Sequence, residues 1–94
     1  MQKVKIPFKE TNPEDIKVGD IYIEQWRDNN FCIVMVCTRI IHNKNAELGI
    51  YGRFIKFIND NGYFTIGDEG HDYFPNPRIS FHKINNQELL AISI

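Results

Sequence analysis

The chain is short of cysteine, of net charge and of long apolar runs. Each shortage excludes something. Cys32 and Cys37 are the only cysteines. Their spacing is not the Cys-x-x-Cys of redox or zinc sites, and no second pair exists to complete a zinc site. On one strand their odd offset puts the two thiols on opposite faces, so they do not pair without a bulge between them. Free, buried thiols in a reducing compartment are expected. The formal net charge is −1, which argues against a protein whose affinity comes mainly from neutralising phosphates. Lys3, Lys5, Lys9, Lys17 and Arg27 tilt the first third towards positive charge, and Glu10, Glu14, Asp15, Asp20, Glu24 and Asp28 cancel the tilt. No apolar run reaches the roughly 18 residues that span a bilayer. Residues Met1–Phe8 lack the apolar core of a secretory signal. A cytoplasmic location, with no membrane partner, is the expectation.

What is present suits one small β domain. The sequence has 94 residues, 43% of them hydrophobic, and a typical domain has roughly 100–150. Residues 1–17 read as an N-terminal arm with a helical turn, and residues 18–94 as a single β-barrel domain. At this size folding buries only about 60–65% of the unfolded chain's surface, so good packing or a partner is needed for stability.

Residues 2–8 alternate like a short strand, with Pro7 restricting it to an edge or an arm. Thr11-Asn12-Pro13-Glu14-Asp15 reads as a helical turn near residues 12–16: Asn12 can cap, and Pro13 suits the first helical position. Val18–Arg27 and Phe31–His42 read as strands flanking an Asp28-Asn29-Asn30 turn. Ile50–Ile58 is a third, with Gly52 a candidate bulge. Asn59–Gly62 is the strongest turn signal, answered by Tyr63–Ile66 as a fourth strand. Gly67–Arg78 reads as a long loop and Ile79–Ile84 as a fifth strand. Asn85 and Glu88 have capping-box spacing, so residues 86–91 suit a short helix, although Ile92-Ser93-Ile94 alternates like a strand end.

The second strand is apolar on both faces: Phe31, Ile33, Met35 and Cys37 on one, Cys32, Val34 and Val36 on the other. The third shows Phe54 and Ile58 on one side and Ile55 and Phe57 on the other. A half-solvated sheet does not look like this. The expected fold is all-β: a small antiparallel SH3-like barrel of roughly four to six strands, covered outside by the arm, the C-terminal segment or another subunit.

Candidate sites are few. Trp26 shares a face with Tyr22 and Glu24, while Ile21 and Ile23 look inward, so Trp26 is expected to be partly exposed. Tyr73, Phe74 and Arg78 fall in the long loop, where exposed aromatics more often make contacts. Tyr73 and Phe74 equally suit a plug for the barrel's open end. With Trp26 these residues are the expected protein-binding set. A nucleic-acid reading uses Trp26, Arg27, Arg53 and Lys56, with stacking beside cations. A third uses Asp68, Glu69, His71 and Asp72, whose oxygens and imidazole suit a divalent cation and a small hydrolase or nuclease built on His71 with Asp68 or Asp72. That spacing matches neither an EF-hand nor a zinc motif, and a solvated loop is the plainer reading. No hydroxyl lies in a nucleophile-elbow context, and no glycine-rich phosphate loop is present. No cofactor is expected.

Ile16-Lys17-Val18-Gly19-Asp20-Ile21-Tyr22-Ile23 resembles the opening strand of ribonuclease toxins of the PemK type. The rest of the chain lacks a basic, proline-bearing second strand suited to RNA cleavage, so no catalytic residue carries over. The leading expectation is a non-catalytic module that binds another protein or itself.

Overall fold

The computed structural model describes residues 9–27, 31–43, 47–59 and 65–92. Among these, five strands run β1 (Ile21–Trp26), β2 (Cys32–His42), β3 (Leu48–Asn59), β4 (Glu69–Phe74) and β5 (Ile79–Ile84), followed by α1 (Asn86–Ile92). All pair antiparallel in one sheet of order β4-β3-β2-β1-β5. The fold is mostly sheet, as the alternating apolar residues require. The expected arm strand (2–8), the turn at Asp28–Asn30 and most of the turn and fourth strand at 60–66 lie outside the described residues.

Both predicted helical turns form. Asn12 accepts from the Glu14 N–H at 3.1 Å and opens a 3-10 turn over Pro13–Asp15. Asn85 and Glu88 close a reciprocal capping box: the Glu88 N–H donates to Asn85 Oδ1 at 2.8 Å, and the Asn85 N–H to Glu88 Oε1 at 2.9 Å. Each bond satisfies a helix-end donor that has no partner inside the helix.

The sheet is strongly curled. Strands lie about 4.8 Å apart, so in a flat sheet β4 and β5 would be separated by about 19 Å. Instead Phe74 of β4 meets Phe81 of β5 with ring centroids 4.7 Å apart. No ladder joins β4 to β5 among the described residues; aromatic packing bridges the gap.

The curl produces two apolar clusters. The concave side holds the larger: Tyr22, Ile33, Met35, Cys37, Ile50, Phe54, Phe74 and Phe81 are at its centre. The convex side holds Ile23, Cys32, Val34 and Ile84, with Leu89 of α1 against them. The second strand is therefore apolar on both faces because both are covered. Cys32 and Cys37 are free, buried and on opposite faces.

Three sequence expectations need correction. First, Phe54 and Phe57 share the concave cluster, while Ile55 and Ile58 pack on the convex side. The register explains it. Met35 pairs with Phe54 but Val34 with Lys56, and Ile33 pairs with Phe57 but Cys32 with Asn59. Ile55 and Ile58 are thus extra residues, and each bulge inverts the alternation beyond it. Gly52 is not itself a bulge; the third shift falls on β2, between Cys37 and Arg39. Second, the Tyr22–Glu24–Trp26 face turns inward to the larger cluster, with Trp26 packed at its margin. Third, much of the expected loop over Gly67–Arg78 is β4.

Gly52 and Gly70 make the concave interior possible. A Cβ on Gly52 would collide with the Tyr22 hydroxyl and lie 2.9 Å from Met35 Cε. One on Gly70 would sit 2.6 Å from the Phe54 ring. Both glycines leave room for a large ring laid across the sheet.

Candidate functional site

Two places concentrate chemistry. The first lies inside the curl. Glu24 on β1 is only 5% exposed, and its carboxyl is hydrogen-bonded to that of Asp72 on β4. These strands are three positions apart in the sheet, so only the curl brings them together. The Trp26 indole Nε1 donates to Glu24 Oε2 at 3.1 Å. Burial raises the pKa of Glu24 well above the usual carboxylate value, and the neighbouring Asp72 raises it further. Burial also raises Asp72, against the lowering effects of its bond to Glu24 and the charge of His71. Two carboxyls this close hold one proton between them. Glu24, the more deeply buried, carries it and donates to Asp72. Tyr22 lies beside the pair, fully buried, and its hydroxyl makes no hydrogen bond among the described residues. Burial keeps that phenol neutral.

The second place is the convex surface over β2, β3 and β4. Arg39, Tyr51 and His71 are paired in register across the three strands. The Arg39 guanidinium carbon stands 4.1 Å above the Tyr51 ring, in cation–π range. His71 stacks on Tyr51 at 4.8 Å, and Tyr73 meets His71 edge-on at 5.3 Å. The Tyr51 and Tyr73 hydroxyls are 3.4 Å apart. Thr38 Oγ1 donates to Glu69 Oε2 at 2.6 Å, with Arg39 3.9 Å from the same carboxylate. Tyr73 is 41% exposed. The result is an ordered fin of planar groups ending at β4, the edge of the sheet.

The predicted site residues are distributed as follows. Of the protein-binding set, Tyr73 is exposed on the convex fin, Phe74 is buried against Phe81, and Trp26 is half-buried on Glu24. Phe74 packs inside the curl, against Phe81 across the gap between the two edge strands. Arg78 is exposed; its N–H donates to Asn76 Oδ1 at 3.0 Å and its carbonyl accepts from the Arg27 N–H at 2.8 Å. These four share no single surface. Of the nucleic-acid set, Arg27 is ion-paired with Glu10 at 3.1 Å, and Arg53 donates to the Gly67 carbonyl at 2.7 Å. Arg53 and Lys56 pair with the convex-face residues Val36 and Val34, whereas Trp26 faces the concave side.

The proposed cation ligands are also divided. Glu69 and His71 share the convex face with Tyr73; Asp72 points inward; Asp68 lies in the turn before β4. No group of three or more His, Cys, Asp or Glu side chains among the described residues is arranged to hold a metal ion. Strand alternation separates what the sequence places side by side.

Sequence reasoning missed Glu24, Asp72 as its partner, Arg39, Tyr51 and the pair Ser80–His82. Ser80 Oγ and His82 Nε2 meet at 3.0 Å, the spacing of a nucleophile and its base, but the residues are 4% and 7% exposed on the convex side. No substrate reaches a hydroxyl buried so completely without the sheet opening. Burial pushes the Cys32 thiol up to about 12, so it stays protonated and unreactive. A period-two pattern was available for the fin: Glu69, His71 and Tyr73 alternate with Gly70, Asp72 and Phe74.

Comparison with protein families, with curated proteins and with solved structures finds no match to this chain. Function therefore rests on the residues themselves. No helix among the described residues is long and apolar enough to cross a membrane.

Proposed function

We propose that this protein is a non-catalytic interaction module on a small SH3-like barrel, binding another protein chain through the convex surface of β2–β4. The strand order β4-β3-β2-β1-β5 and the Phe74–Phe81 contact between the edge strands support the barrel reading. The observation that carries the function is the fin Arg39–Tyr51–His71–Tyr73. Its planar groups touch one another in succession, and the row stands at a sheet edge. Rigid aromatics beside an arginine are the groups that dominate protein interfaces, because they bury large area at small entropic cost. The non-catalytic part of the reading is supported by the sealing of Ser80–His82 and the high pKa of Cys32.

The test places a photo-crosslinking amino acid at Tyr73 and, as a control, at Val18, which is 63% exposed in a separate turn. Irradiation in native extract is expected to give a discrete protein adduct from position 73 and none from 18. Tyr51→Ala, which removes the centre of the stack, is expected to abolish the adduct. No protein adduct at 73, or the same adducts from both positions, refutes the reading. An adduct to nucleic acid instead of protein refutes it in favour of the oligonucleotide alternative.

A further inference from the structure

We propose that the chain binding at β4 is a second copy of this protein, its β4 paired antiparallel to the first about a two-fold axis through His71. This rests on the interaction-module reading and names its partner.

The two edges of the sheet differ. β5 is occupied by the segment before the first helical turn. The Thr11 N–H donates to the Phe81 carbonyl at 2.6 Å, and Thr11 Oγ1 accepts from the Lys83 N–H at 2.9 Å. β4 pairs only with β3 among the described residues. The ladder's phase says which groups β4 leaves over. The Phe54 N–H donates to the Asp68 carbonyl at 2.9 Å. Hydrogen-bonded and non-hydrogen-bonded pairs alternate along an antiparallel ladder. Gly70, Asp72 and Phe74 therefore spend their backbone groups on β3. The N–H and C=O groups of Glu69, His71 and Tyr73 point outward. Edge strands are usually blunted by lysine, proline or an inward charge. β4 contains no lysine and no proline. Its one inward charge, Asp72, is already engaged by Glu24.

The outward groups are self-complementary. With the axis at His71, His71 faces His71, and Glu69 faces Tyr73 on both sides of the axis. This register uses every outward backbone group of the strand. Moving the axis one residue towards the C-terminus sets Glu69 against Pro75, which has no N–H. Moving it one residue the other way sets Tyr73 against Gly67, in the turn before the strand. The same register continues the fin. Tyr51 and His71 stack at 4.8 Å, about the spacing between neighbouring strands. The next strand therefore carries its own imidazole onto the open face of His71. Each Tyr73 hydroxyl comes beside the Glu69 carboxylate of the other copy, as a donor beside an acceptor. The occupant that completes stack, ladder and polar pair together is the same sequence.

The test is a cysteine scan with sedimentation. Across an antiparallel hydrogen-bonded pair the Cα atoms lie about 5.5 Å apart, within disulfide reach. His71→Cys is expected to oxidise at micromolar concentration to a disulfide-linked dimer. Val18→Cys and the wild type, whose own thiols are buried, are expected to stay monomeric on a non-reducing gel. The wild type is expected to sediment as a dimer whose fraction rises with concentration. Tyr73→Pro removes an outward N–H that the monomer does not use, so it is expected to remain folded by circular dichroism yet sediment as a monomer. A wild type that stays monomeric throughout, or equal crosslinking of His71→Cys and Val18→Cys, overturns the proposal. If that happens while a crosslinker at Tyr73 still captures a different protein, only the self-pairing falls. If position 73 captures no protein either, the interaction-module reading falls with it.

Discussion

Replacing Glu24 with glutamine should make the protein more stable as pH rises, although it removes a residue from the interior. Glu24 is buried, carries the proton it shares with Asp72 and has a pKa well above its usual 4.5. The unfolded chain loses that proton near the usual value while the folded chain keeps it. Over the interval between the two pKa values the folded state binds one more proton than the unfolded state. Stability then falls with rising pH by about 1.4 kcal/mol per unit. The sign follows from the raised pKa: the contribution is complete below the unfolded value and is lost as pH climbs towards the folded one. The loss accumulates over every pH unit that lies between the two values. A domain of this size has a total of roughly 5–14 kcal/mol, so the effect is large.

Glutamine reproduces the protonated carboxylic acid in shape. Its Oε1 can accept from Trp26 Nε1, and its Nε2 can donate to the Asp72 carboxylate, so the bridge between β1 and β4 survives without a titrating proton at position 24. The assay is urea unfolding of wild type and Glu24→Gln at several values between about pH 5 and pH 8, followed by far-ultraviolet circular dichroism. The difference in unfolding free energy is expected to widen in favour of the variant by about 1.4 kcal/mol per pH unit until the folded pKa is reached. Parallel curves for the two proteins would refute a proton held at Glu24. A variant that loses stability equally at every pH would show that the carboxyl acts only through its shape.

Three further outcomes test the interior and the helix. Gly52→Ala forces a Cβ onto the Tyr22 hydroxyl and Met35 and should cost about 1–3 kcal/mol by denaturant titration; an unchanged midpoint would mean that Tyr22 does not lie across β3. Asn85→Ala removes one half of the capping box and should cost about 1 kcal/mol, with the loss of helical signal confined to α1 if that helix frays alone. Cys32 and Cys37, both buried, should resist a thiol reagent in the native state and react fully in denaturant; stoichiometric labelling within minutes without denaturant would contradict their burial.

Local rules carried some features well. The odd offset of Cys32 and Cys37 was enough to separate them, since both register shifts between them put the extra residue on β3 and leave the alternation of β2 intact. Asn85 and Glu88 announced their helix because a capping box is built from residues three apart and needs nothing else. The same reasoning failed at Phe54–Ile58, where two extra residues opposite β2 reset the alternation twice. It failed again at β4. Glu69, His71 and Asp72 look like a solvated loop, and Asp72 occupies an inward position where an apolar residue is expected. That position tolerates a carboxyl only because Glu24 and its proton lie across the curl.

The sequence by itself determined that the chain is a small β domain with apolar residues on both faces of its central strand, with turns and caps where polar residues cluster. Those are consequences of periodicity and of hydrogen bonds between near neighbours. Tertiary structure alone decided how far the sheet curls, and therefore that Phe74 meets Phe81, that Glu24 meets Asp72, and that β4 stands at the edge of the sheet among the described residues. The reason is distance along the chain. Such partners are far apart in sequence, and no local pattern records which strand the curl will bring opposite which.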